Sequence, residues 1–415
     1  MRRALCLTLA LVLLTPWLVE AQGLPAAPPE AVGLSAARLG RLGALVEEDV
    51  RKGRIPGAVV LIARKGRVAY HEAWGLRDPI AREPMPRDAI FPIYSMTKPI
   101  TSVAVMLLVE EGRIQLSHPV SRYLPQLAKL EVGVVKRDPA TGQETLERVP
   151  SERDMTVQDL LRHTSGLTYG VFGKSPVKEL YLKAGIQSRD HTNAEFVDRI
   201  ARLPLHYQPG TTWEYSHSTD VLGRLVEVVS GMTLGRFFAE RIFGPLRMPD
   251  TAFWMPADKH GRIAHALPAD PDSGQPIRLL DLTGPRKFES GGGGAASTAL
   301  DYARFAQMLL NRGQLDGVRL LGRKTVEQMT ADQLGGIKFP GPGYSFGLGF
   351  GVRVATGLAA QPGSAGEYYW GGFGGTAFFV DPQEELVALW MALGPGQRSH
   401  YRPLFKNLVM QAVVD

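Results

Sequence analysis

Ser95 and Lys98 stand three residues apart in Phe91-Pro-Ile-Tyr-Ser-Met-Thr-Lys-Pro-Ile100, where a short apolar lead-in becomes a long apolar run. Side chains three apart share one face of a helix, so the Lys98 ammonium would sit beside the Ser95 hydroxyl. A serine hydroxyl attacks a carbonyl only when a neighbour takes its proton, and a lysine held in apolar surroundings is one such neighbour. A buried lysine is costly unless it has a task or a partner. The pair alone is a weak signal, because a capping serine followed by a solvent-facing lysine has the same spacing. A second reactive piece is Tyr215, in Pro209-Gly-Thr-Thr-Trp-Glu-Tyr-Ser-His217. A third is Trp370-Gly-Gly-Phe-Gly-Gly375, a glycine-rich reversal leaving a strand. A competing serine also exists. Gly343-Tyr-Ser-Phe-Gly347 fits G-x-S-x-G, with Asp381 and His400 downstream of Ser345. That elbow needs a strand before its serine and a helix after it, whereas here a Pro/Gly loop precedes and an alternating strand follows.

The elements that must position these groups follow from the apolar pattern. Val103, Met106, Leu107 and Leu108 make the run after Lys98 a helix buried on most sides, with Pro99 in its first turn and Gly112 at its end. Ser35–Val50 reads as an amphipathic helix capped by Ser35. Gly57–Ala63 and Val68–Trp74 flank Arg64-Lys65-Gly66-Arg67 as a β-hairpin. From about 113 to 295 the pattern predicts helices and loops with no strand pair, and Leu130–Arg148 as an excursion. Ser297/Thr298 with Asp301 resembles a helix start, Tyr302–Leu310 carries an apolar face, and the glycine run Gly291–Gly294 before it predicts a tight loop, since no P-loop lysine follows. Alternation from Tyr344 to Val354 predicts one strand, its glycines 347, 349 and 351 leaving a face for a close neighbour. Short strands at Tyr368–Gly371, Thr376–Val380 and Leu386–Met391 and a terminal helix at Tyr401–Val414 complete the chain. The sheet thus draws on both chain ends, and the middle forms a helical insert.

Taken together and in this order, these pieces resemble the serine β-lactamase-related hydrolases, close to class C β-lactamases and to the family VIII carboxylesterases. Leu160-Leu-Arg-His-Thr-Ser-Gly-Leu167 resembles that superfamily's L-L-x-H-T-S-G-L. Pro209-Gly210 to Tyr215-Ser216, Leu222-Gly223, Ser230-Gly231 and Phe243-Gly-Pro-Leu246 with Met248, Asp250 and Thr251 follow its usual run. The resemblance implies a β-lactamase/transpeptidase-like fold of α/β (α+β) class, an antiparallel sheet flanked by helices plus a helical insert. It divides the chain into 22–92 and 296–415, which share the sheet, and 93–295, which carries the catalytic helix. It implies Ser95 as nucleophile, Lys98 and Tyr215 as the proton-handling pair, and an oxyanion hole from the backbone amides of Ser95 and Phe373. Tyr94, His217, Trp370, Gly371 and Gly372 are the residues implied to meet substrate. A nearby ammonium favours a phenolate and burial favours a neutral amine, so either partner can take the serine proton; the sequence does not choose.

Two departures from the β-lactamase pattern bear on substrate. His217 stands where Y-x-N has its asparagine, and Trp370-Gly371-Gly372 replaces K-T-G, resembling the W-G-G of the esterase branch. Loss of the lysine removes a charge-assisted hydrogen bond to a substrate carboxylate, worth about 1.5–3 kcal/mol. The expectation is a serine carboxylesterase acting on a small-molecule ester without a cofactor. A β-lactamase or D-alanyl-D-alanine peptidase, an acyltransferase using the same residues, and a non-catalytic binding protein on the same fold are the rivals.

Composition narrows the remaining classes. With 47 basic and 41 acidic residues in 415, the net charge of +6 is mild. No basic stripe with interleaved aromatics marks a nucleic-acid surface. The nine histidines contain no H-E-x-x-H or similar cluster, so a metal site is not expected. Residues 1–21 read as a secretory signal: Arg2 and Arg3, an interrupted apolar run, and small residues at Val19 and Ala21. That predicts export to a periplasmic or extracellular compartment with no lasting membrane anchor. The single cysteine, Cys6, lies inside this segment, so the exported chain would have neither disulfide nor thiol nucleophile.

Overall fold

The computed structural model describes residues 24–415, so the leader read at 1–21 lies outside the described residues. An eight-stranded antiparallel sheet carries the fold. In chain order its strands are β1 (Gly57–Arg64), β2 (Arg67–Asp78), β3 (Glu83–Pro84), β4 (Tyr344–Phe346), β5 (Gly351–Arg353), β6 (Tyr368–Gly371), β7 (Ala377–Asp381) and β8 (Leu386–Ala392). In space they run β4-β5-β6-β7-β8-β1-β2-β3, so the last strand lies beside the first. The β1–β2 turn is Lys65-Gly66, both with positive φ, the two-residue reversal whose twist suits a hairpin.

Both faces of the central strands are covered, which is why β1 shows no polar alternation. Val59, Leu61 and Ala63 pair with Met391, Leu389 and Val387 of β8 and enter the core beneath the helical region. Ala58, Val60 and Ile62 pair with Ala392, Trp390 and Ala388 and face the other way. The helix Ala36–Arg51, capped by Ser35 accepting from the Arg38 amide, covers this second face together with Arg398–Met410. Trp390 stacks on Tyr401, whose hydroxyl donates to Asp49 at 2.9 Å and ties the two helices together. On the first face the helix Ala299–Leu310, capped by Thr298, packs on β8 and β1.

The helix Thr97–Glu110 lies deep in that first core, with every residue from Thr97 to Leu108 buried, and it packs against the helix Ser218–Ser230. A helix apolar on all sides must be enclosed, and this one is.

Two local readings of the sequence are corrected. The stretch from 113 to 295 does contain a strand pair: Glu131–Arg137 and Glu144–Pro150 form a hairpin, and the excursion at 130–148 is that hairpin. Its strands are short of apolar residues because they are largely exposed, which hides the usual signal. The run Tyr344–Val354 is not one strand but the β4–β5 hairpin, with Tyr344 opposite Arg353. The chain reverses at Gly349, whose φ of 98° suits glycine, and a Cβ there would lie 2.2 Å from Ser102 Oγ of the buried helix. Of the three glycines, only Gly349 meets the helix that carries Lys98; Gly347 lies against the Met329 carbonyl and Gly351 against the Tyr369 ring.

Candidate active site

Ser95 sits in the tight turn Tyr94–Met96 immediately before the buried helix. Tyr94 holds φ at 46°, a conformation costing a non-glycine residue about 1–3 kcal/mol. Its fixings offset that cost: the Tyr94 hydroxyl accepts from the Leu280 amide at 2.9 Å, and its ring meets Phe373 edge-on at 5.6 Å. The turn is thereby locked with Ser95 facing a cleft.

Lys98 is fully buried one turn further on. Its Nζ donates to Gly292 O at 2.6 Å, to Tyr169 Oη at 3.1 Å and to Ser95 Oγ at 3.4 Å, which satisfies all three donors of an ammonium. Gly292 in turn packs against Asp220, whose carboxylate a Cβ there would meet at 2.8 Å. Tyr215 donates to Ser95 Oγ at 2.7 Å, and Lys98 Nζ lies 4.6 Å from the centre of the Tyr215 ring. The structure thus brings Ser95, Lys98 and Tyr215 within one hydrogen-bonded set.

The loop that delivers Tyr215 is braced by the Leu160–Leu167 segment. Thr156 and Asp159 form a capping box there, and Arg153 and Arg162 pair with the buried Asp159. From that base the His163 and Thr164 carbonyls accept from the Glu214 and Gly210 amides, and the His163 ring packs 5.1 Å from Tyr215. His163 Nδ1 lies 3.2 Å from Ser216 Oγ.

The sequence reading missed three contributors: Tyr169, Asp220 and the Gly292 carbonyl. Burial first, then the Asp220 charge, hold the Tyr169 phenol well above its ordinary range, so it stays a neutral partner for Lys98. Burial pushes the Asp220 carboxyl up, but the hydrogen bond from His217, the charge of the Lys98 ammonium and the Ser290 hydroxyl outweigh that and leave it at about 2. Asp220 is therefore the buried anion that accompanies the buried ammonium, and it accepts from Ser290 Oγ and the Gly292 amide as well. Tyr169 follows directly after Leu167-Thr168, so its place in the sequence was a usable signal. Asp220, three residues beyond His217 on a helix, was another.

The cleft in front of Ser95 has a volume of about 470 Å³ and is lined by Tyr215, Trp370, Gly371, Phe373 and Phe172 among others. Trp370 lies 5.4 Å from the Tyr215 ring and 5.2 Å from Phe346. Among the described residues neither the Ser95 nor the Phe373 amide has a hydrogen-bond acceptor. Gly372 is a wall rather than lining, because a Cβ there would meet the Ile93 carbonyl at 2.4 Å. His217, expected at the substrate, is corrected: it lies in the layer behind. It is buried, its Nδ1 is 2.9 Å from Asp220, its ring packs on Tyr169 and Phe196, and it does not line this cleft. The helix that begins at Ser218 turns the side chain inward toward its own first-turn carboxylate.

Burial lowers both His163, well below the ordinary value, and His217. A depressed histidine contributes stability that is fully present above about pH 6.5 and lost as pH falls, because the unfolded chain takes up the proton first. Each can add at most about 1.4 kcal/mol per pH unit to that loss. In an NMR titration of the native chain, both rings should protonate below the ordinary histidine range, His163 by the wider margin. A mid-point near 6.5 for either ring would overturn its neutral assignment.

Ser345 is placed elsewhere. It lies in β4 with its hydroxyl donating to Asp332, while Asp381 accepts from the Ser364 and Gln383 amides and His400 is on the surface. No triad forms from these three.

A sheet built from both chain ends, a buried helix opening at a serine and lysine, and a tyrosine meeting the serine across an aromatic cleft define a β-lactamase-type serine hydrolase. The family model described as Beta-lactamase matches residues 42–409, and the chain belongs to that family. It is 36% identical over 366 residues to an uncharacterised protein of Mycobacterium tuberculosis, across 84% of this chain and 88% of that one. Esterase EstB of Burkholderia gladioli is 32% identical over 378 residues, covering 85% of this chain and 90% of its own. Among solved structures, EstCE1, described as a hydrolase with promiscuous acyltransferase activity, superposes with a TM-score of 0.75 at 27% identity, across 90% of this chain and 98% of its own.

Proposed function

We propose that this protein is a serine carboxylesterase that forms an acyl-enzyme on Ser95. The observation that carries the reading is the 2.7 Å contact between Tyr215 Oη and Ser95 Oγ, at the floor of an aromatic cleft and with Lys98 beside both. In the reacting form Tyr215 has given its own proton to solvent and stands as a phenolate balanced by the Lys98 ammonium, and the Ser95 proton passes along that contact to the tyrosine oxygen. The freed Oγ bonds to the ester carbonyl carbon, and the carbonyl oxygen becomes an anion facing the Ser95 and Phe373 amides. Collapse breaks the carbon–oxygen bond to the alcohol, which leaves with the proton held by Tyr215. Water then repeats the sequence on the acyl-enzyme and releases the acid. An alcohol in place of water would give acyl transfer, a second reading supported by the likeness to EstCE1.

Trp370 supports an ester over a β-lactam. An indole offers a large apolar face and one N–H, and neutralises no carboxylate. Three cations line the cleft: Lys406 pairs with Glu367, Arg402 donates to backbone carbonyls, and Arg398 donates to Pro395 O and lies over the Phe373 ring at 5.1 Å, outside the place that Trp370 takes. The test is hydrolysis of p-nitrophenyl esters of graded chain length beside nitrocefin, with and without an added alcohol acceptor. Short neutral esters should give far the higher kcat/KM, and Trp370→Lys should shift the ratio toward nitrocefin by about one to two decades, the worth of one charge-assisted hydrogen bond. An unmodified enzyme that cleaves nitrocefin as efficiently as its best ester would sink the reading.

A further inference from the structure

The loop after β6 carries the Phe373 amide, and one side chain of the C-terminal helix grips its backbone. Arg402, on the helix Arg398–Met410, donates from Nη2 to Gly372 O at 2.6 Å, with Thr376 O at 3.5 Å. Its guanidinium lies against the backbone so closely that a Cβ on Gly371 would sit 2.5 Å from Arg402 Cζ. Among the described residues its hydrogen bonds go to carbonyls and not to a carboxylate, and its Nε is buried without a partner. A half-buried cation held this way is a costly means of fixing a loop, since a neutral donor would do the same at lower desolvation cost.

The peptide it grips is the informative one. Gly372 O and the Phe373 N–H belong to the same peptide unit, which is trans. In a trans unit the carbonyl and the N–H point in opposite directions. Fixing the oxygen on Arg402 therefore turns the N–H away from the guanidinium, within the cleft that Ser95, Phe373 and Arg402 all line. A charged donor on the oxygen also draws electron density from the nitrogen, which strengthens the N–H as a donor in turn. The remaining hold on Gly372 O, from the Gly375 amide at 3.1 Å, comes from within the loop and cannot anchor it to the scaffold.

We propose that Arg402 is a positioning residue for the reaction at Ser95: it clamps the Gly372–Phe373 peptide so that its N–H faces, and is polarised toward, the oxyanion formed there. This rests on the reading of the Phe373 amide as an oxyanion donor. The clamp acts on the anion that develops in the transition state, so its loss falls on kcat rather than KM. Loss of a direct oxyanion donor costs about 10²–10³ in kcat, and an indirect hold should cost about ten- to a hundred-fold.

The experiment is a series at this position on the full chain, read as kcat and KM for one neutral ester. Arg402→Lys keeps a charged donor and should recover most of kcat. Arg402→Gln keeps a donor without charge and should be intermediate, and Arg402→Met should be lowest, with KM within about three-fold throughout. A series with kcat flat within two-fold, or with the loss confined to KM, overturns the clamp. If Arg402→Met does not fold, the order of wild type, lysine and glutamine decides alone. The underlying reading is tested separately by placing phenyllactate at 373, which replaces the amide N–H with oxygen. Full activity there removes Phe373 as a donor and the clamp with it. A damaged phenyllactate enzyme beside an unaffected arginine series removes only the clamp.

Discussion

Ser95→Ala should leave ester turnover about 10⁶-fold below the parent enzyme, the scale seen when a serine nucleophile is deleted. The size follows from geometry. Ser95 Oγ is the atom on which the 2.7 Å contact from Tyr215 and the 3.4 Å contact from Lys98 converge. Removing it leaves a proton acceptor with no proton to take and an oxyanion site with no adduct to hold. Ser345→Ala is the matched control and should stay close to parental activity, because that hydroxyl is bound to Asp332 in a sheet strand. A fluorophosphonate probe should label the peptide containing Ser95; a label on the Ser345 peptide would reverse the assignment.

The second large effect is expected from Tyr215 and Lys98. Tyr215→Phe retains the ring contacts with Tyr169, His163 and Trp370 and deletes only the oxygen that meets Ser95. General-base groups contribute about 10²–10⁴ in rate, so acylation should fall by that range while the fold persists. Lys98→Ala removes the donor from Gly292 O and Tyr169 Oη and leaves Asp220 with less opposing charge. It should cost a similar factor in acylation, and also stability, through a buried carbonyl left unpaired at about 1–3 kcal/mol. Because the two groups act on one proton, the double variant should lose little more than the worse single one. A folded Tyr215→Phe enzyme with full activity would take the tyrosine out of the mechanism; fully multiplicative losses would separate the two roles.

Much of this architecture was legible because its signals are local. The Ser35 cap, the Lys65-Gly66 hairpin, the helix after Lys98 and the Thr298 start each depend on a few adjacent residues and appear as read. What the sequence withheld was long-range. The acceptor for Lys98 is a carbonyl at Gly292, a group every residue possesses and no composition reveals. His217 looked like a substrate contact from its place beside Tyr215, but the direction of a side chain at a helix start is set by what it packs against. Here that is Tyr169, Phe196 and Asp220. The Glu131–Pro150 hairpin was hidden for the opposite reason, as strands that bury little leave little apolar pattern.

The pairing of the last strand with the first sets when the molecule can fold. Strand β1 finds one neighbour at once in β2, but its other edge stays bare until Leu386–Ala392 has been synthesised. Loop-closure entropy must be met before such a distant contact is rewarded, so the sheet closes late and slowly. Until then Val59, Leu61 and the rest of an apolar strand present an unpaired edge, the kind of surface that recruits other chains. A chain ending before Leu386 therefore leaves one edge of β1 unpaired, and the final thirty or so residues act as the latch on the sheet.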